Sequence, residues 1–215
     1  MLDFVNVASP HGNVMFNFAI DPLQDLTTFA LGYKEAARCL AAELGHRVFA
    51  DYEAYPIFFL YRHSLELYLK ALVYRAANLM GLIGKAQPNV PGLFKRHDLT
   101  RLLPAVRSVF IAMHWDMNSP GSCFASLDEF EQFVRKVDSI DAGSYAFRYP
   151  MNQRCRANLP AHFTINVVWF AEIMDQLLDY LEGATDLIED AWDAAAQSGD
   201  ELRDYLAGAG DASLS

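Results

Sequence analysis

The segment between Pro56 and Gly81 limits the fold of this 215-residue chain more than any other. Phe58, Tyr61, Leu65, Tyr68, Leu69 and Leu72 recur at helical spacing, so a helix here presents a broad apolar face that other elements must cover. The covering elements are legible from their own punctuation. Asp21-Pro22 supplies a cap and a first-turn proline for a helix from about Leu23 to Leu44, with Gly45 as its stop. Asp98 is placed to cap a third helix to about His114, after a loop that contains Pro88 and Pro91. Ser126 and Glu129 have capping-box spacing ahead of a short helix from Leu127 to Val137. Residues 140–162 read as an irregular loop, and a last long helix reads from near Thr164 to about Ala196. These elements predict an all-α protein, an up-and-down helical bundle of four to five helices. The expected organisation is a short extended N-terminal arm over residues 1–21, one helical domain over 22–196 and a mobile acidic tail over 197–215.

Composition supports one core, since 53% of residues are hydrophobic and 13% aromatic. The richest apolar run, Tyr55 to Val73, is interrupted by Arg62, His63, Glu66 and Lys70, and no run approaches the roughly 20 residues of a membrane span. No membrane association is therefore expected. Cys39, Cys123 and Cys155 are odd in number and widely spaced, which suits reduced thiols and provides neither zinc spacing nor a disulfide framework. With an N-terminus that lacks a basic start, the expected location is cytoplasmic. The net charge of −10 is unevenly placed: from Glu172 onward 12 acidic residues face one basic residue, Arg203. Between Ala142 and Ala171 there is no carboxylate, yet Arg148, Arg154 and Arg156 all fall there. A local basic surface is compatible with an acidic protein because salt confines charge effects to about 8 Å.

Three ordered segments carry a family resemblance: Phe58 to Leu72 (FFLYRHSLELYLKAL), His97-Asp98-Leu99, and Phe147-Arg148-Tyr149-Pro150. Together they resemble a bacterial branch of the HEPN superfamily over roughly residues 22–190. The resemblance implies a compact helical domain, often homodimeric, in proteins associated with RNA cleavage, RNA or nucleotide binding, toxin–antitoxin pairs and phage defence. Ribonucleolytic members carry an arginine and a histidine with four to six residues between them near the start of the last core helix. Arg156 and His162 have that spacing and that location here and are the catalytic candidates the resemblance implies. Arg107 and His114 share the spacing inside a helix that reads as core.

The chemistry of such a pair is metal-independent: histidine transfers protons near neutral pH and the arginine fork matches phosphate oxygens. Arg148 and Arg154 are candidates for further phosphate contacts, and Tyr149 offers a ring for base stacking. On the second helix Arg62, His63, Glu66 and Lys70 form a second candidate cluster, because His63, Glu66 and Lys70 share one face. The same spacing also describes a solvated or dimer-facing stripe, the simpler expectation. His63 and Glu66 lack a third ligand at suitable spacing, so no metal is predicted, and no cofactor motif is present. A phosphate at the helix start after Lys95-Arg96-His97 would compete with Asp98 as the cap. The alternative to an RNA-directed role is a non-catalytic helical module that dimerises or binds a partner protein encoded elsewhere.

Overall fold

The computed structural model describes residues 26–44, 52–84, 92–118, 122–141, 143–152, 154–159 and 164–212, with side chains to Gly199. Five α-helices lie among them: α1 (Leu26–Leu44), α2 (Ala54–Leu82), α3 (Leu103–Met113), α4 (Leu127–Ile140) and α5 (Val167–Ala212). Two single 3-10 turns, Leu93–Lys95 and Leu99–Arg101, precede α3. The protein is an all-α helical bundle, and the described residues contain one isolated bridge, Met151 to Ala157, and no strand. No helix among them is long and apolar enough to cross a membrane.

The apolar face of α2 is the centre of the core, as its spacing requires. Tyr61, Leu65, Tyr68, Leu69, Leu72 and Val73 are completely buried, with α1 and α5 packed on α2 and on each other. Phe58 lies between two rings: Phe170 of α5 at 3.9 Å, nearly parallel, and Phe147 of the loop between α4 and α5 at 4.4 Å. A second aromatic group, Phe110, Phe124 and Phe130, closes α3 against α4.

Four boundaries differ from the sequence expectation: α4 runs on to Ile140, past Val137, and the other three have a local reason. The third helix does not start at Asp98; a 3-10 turn runs to Arg101 and α3 begins at Leu103, where Pro104 fits the first turn. Asp98 makes no cap and pairs instead with Arg101 Nε at 3.1 Å. The last helix starts at Val167 because Asn166 Oδ1 accepts the Trp169 amide at 3.0 Å, and it continues past Ala196 to Ala212, through a stretch that holds no proline. The capping box at α4 forms as expected in part: Ser126 Oγ accepts the Glu129 amide at 3.2 Å, while the Glu129 carboxylate takes the Ala125 amide. The N-terminal arm, the Asp21-Pro22 start and the Gly45 stop lie outside the described residues.

Candidate functional site

Arg62 should cost a helix dearly at a buried position unless every donor is met. It is 0% exposed, and each of its three nitrogens has a partner. Nε donates to the Asp141 carbonyl at 3.0 Å, Nη1 to Glu66 Oε2 at 3.2 Å, and Nη2 to both the His97 carbonyl at 2.7 Å and Asp138 Oδ1 at 3.1 Å. Asp138, from the last turn of α4, also accepts the amides of Leu99 and Thr100 and so supplies the cap that Asp98 does not. Asp141 accepts the Ala146 amide at 2.7 Å. One guanidinium therefore ties α2 to the turn before α3, to the end of α4 and to the loop beyond. Arg62, Glu66 and Lys70 are all buried, which corrects the expectation of a solvated or dimer-facing stripe.

Glu66 connects this buried hub to the surface. Its Oε1 accepts Lys70 Nζ at 2.6 Å and meets His97 Nδ1 at 2.9 Å, and the His97 ring is half exposed. Burial alone would raise the Glu66 pKa, but Lys70 and His97 outweigh it and hold the carboxyl below its ordinary value. His63, one turn earlier, is half-buried against the rings of Tyr33 and Phe59. Burial disfavours its imidazolium and, with Lys70, Arg148 and Arg62 adding to that effect, its pKa falls below the ordinary value despite Glu66.

The two shifts act in different pH windows. A lowered His63 pKa means the unfolded chain binds the proton first, so stability declines as pH falls below the ordinary histidine value of about 6.5. The depressed Glu66 pKa contributes stability above the ordinary carboxylate value, lost only as pH falls through its lower folded value. We expect the urea midpoint of the native protein to drop between roughly pH 7 and pH 5, and His63→Phe, which keeps the ring contacts, to flatten that drop. An unchanged slope in the variant would assign the acid sensitivity to other groups.

The loop after α4 brings a second cation to the same side of α2. Gly143 and Ser144 both adopt positive φ (77° and 64°), turning the chain back so that Phe147 reaches Phe58. Arg148 is exposed; its Nε donates to the Ser144 carbonyl at 2.6 Å, and its guanidinium carbon lies 5.4, 5.1 and 5.9 Å from the ring centres of Phe59, Tyr145 and Tyr149. No carboxylate pairs with it among the described residues. Phe59 touches both this guanidinium and the His63 ring, so Arg148 belongs with the α2 cluster.

Of the residues singled out from sequence, Arg62, His63, Glu66, Lys70, Arg148 and Tyr149 are thus brought to one region. Arg154 and Arg156 are exposed farther along the loop, their amides held by Asn152 Oδ1, and His162 lies outside the described residues. Arg107 pairs with Glu131 and Asp128 of α4, and His114 ends α3 in a left-handed conformation, so that alternative pair serves helix packing and termination. Asp138, Asp141 and Tyr145 were not singled out. His97 was, as part of a three-residue motif, but nothing in its spacing indicates Glu66 as its partner. Among the described residues no three metal-ligating side chains converge. No family model, curated protein or solved structure matches the chain.

Proposed function

We propose that this chain is a HEPN-like RNA- or nucleotide-binding domain in which Arg148 receives a phosphate and Tyr145 or Tyr149 receives a base. What supports the reading is one observation: an exposed guanidinium, pre-oriented by the Ser144 carbonyl and three rings, with no carboxylate partner among the described residues. An arginine held in this way loses little conformational freedom on meeting a phosphate, and exposed tyrosine rings stack on bases without regard to sequence. His63 packs on the Phe59 ring that Arg148 also meets. In the ribonuclease form of the proposal Arg156 and His162 perform the cleavage, in a homodimer of a toxin–antitoxin or phage-defence system.

The test is binding of a labelled oligoribonucleotide and of a labelled nucleoside triphosphate, read by fluorescence anisotropy at two salt concentrations. Arg148→Ala should weaken binding about tenfold or more and lower the salt slope by about one phosphate contact. Unaltered affinity in Arg148→Ala removes the proposed anchor. Cleavage is scored separately: RNA cut by the native protein and spared by His162→Ala supports the ribonuclease form, and RNA left intact by both restricts the protein to binding.

A further inference from the structure

On α5, the residues Tyr180, Gly183, Leu187 and Asp190 follow one another at helical spacing on one face. With Trp115 and Asp116, just past the end of α3, they enclose a groove of about 730 Å³. Its apolar part is formed by Trp115, Tyr180 and Leu187, and Leu187 is 59% exposed, a large aliphatic side chain left in water. Gly183 lies between them, and a side chain added there would meet nothing within 4 Å, so the α5 backbone is open to close approach. The rim is acidic. Asp116, Asp179, Asp186 and Asp190 all line the groove, and no lysine or arginine does. Asp179 is already paired with Lys34 and Arg38, and Asp186 lies 4.0 Å from Arg75, but Asp190 has no cation beside it among the described residues.

We propose that this groove docks a basic amphipathic helix of another protein. The charge decides among occupants. A second copy would bring a chain of net charge −10 and the same acidic rim, and a nucleic acid would meet four carboxylates. The open α5 face from Tyr180 to Asp190 spans about 15 Å, long enough for a helix to place apolar side chains at i, i+3 and i+7 along it. Leucines in that pattern fit against Trp115, Tyr180 and Leu187, with flanking lysines opposite Asp116, Asp186 and Asp190. This surface is independent of Arg148 and of any RNA role.

The experiment uses the full chain and a fluorescein-labelled helical peptide of about 18 residues built from leucine and lysine, beside a scrambled peptide of equal composition. Leu187→Arg and Asp190→Lys alter the groove, and Glu172→Lys makes the same charge change as Asp190→Lys at an exposed α5 position outside it. Circular dichroism checks that each variant keeps its helices. The expected result is saturable binding of the amphipathic peptide, about tenfold weaker for the scrambled peptide and for both groove variants, and nearly unchanged in Glu172→Lys. Equal binding of the two peptides, or equal losses in Glu172→Lys and the groove variants, would reduce the effect to bulk acidity and overturn the proposal. So would a native dimer in sedimentation that Leu187→Arg dissolves, because the groove would then hold a second copy.

Discussion

Arg62→Ala is expected to destabilise the protein by about 3–5 kcal/mol, a large part of the about 5–15 kcal/mol that holds a domain of this size together. The loss does not come from one ion pair. Removing the guanidinium leaves the Glu66, Asp138 and Asp141 carboxylates in a buried region where their charges have lost a common partner, and it strips the carbonyls of His97 and Asp141 of their donor. The pairs at α3 and α4 offer an internal comparison. Arg107 also meets two carboxylates, Asp128 and Glu131, but it does so at the surface, where water replaces a lost partner. Urea unfolding of the two alanine variants side by side should therefore give a much larger fall in midpoint for Arg62→Ala. Equal shifts would mean that the hub contributes no more than a surface contact.

Phe58→Ala should cost about 3–5 kcal/mol as well, through a different mechanism and with a second consequence. The ring is 2% exposed and stacked on both faces, by Phe170 and by Phe147, so its removal opens a cavity between α2, α5 and the loop. Phe147 precedes Arg148 in sequence, and its stacking on Phe58 is one of the contacts, with Arg148 over Phe59, that fasten that part of the loop to α2. If Arg148 anchors a phosphate, Phe58→Ala should weaken nucleotide binding in protein that is still folded, although Phe58 is too buried to touch a ligand. Thermal unfolding and anisotropy on the same preparation separate the two effects. Lowered stability with native affinity would show that Arg148 keeps its position without the stack.

Local features of this fold were legible in the sequence and pairings across it were not. The face of α2 could be read because Phe58, Tyr61, Leu65 and Leu69 recur with the helical period, and the α4 start because Ser126 and Glu129 stand three apart. Burial of Arg62 could not be read. Spacing places four polar residues on an apolar helix, but whether Arg62 faces water or a core depends on partners 35 to 79 residues away in the chain. Asp138 looked like one more charge on an amphipathic helix, yet it caps a turn 38 and 39 residues earlier, and so displaces Asp98 from the role its position suggested. Arg148 was identified from a carboxylate-free stretch. Its association with the α2 cluster depends on Gly143 and Ser144 turning the chain back, a geometry that residue spacing does not encode. The length of α5 is not legible for the opposite reason: the small and polar residues after Gln197, three glycines among them, read as a tail, yet no proline ends the helix before Ala212.

The contact between Glu66 and His97 determines which tautomer of that imidazole is present. Because the carboxylate is held ionised, it can only accept, so the Nδ1 atom 2.9 Å away carries the hydrogen. In the uncharged ring the second nitrogen, Nε2, is then a bare lone pair on a side chain that is half in solvent. A hydroxyl or amine of an incoming molecule would find an acceptor there, whereas a phosphate oxygen would find no donor.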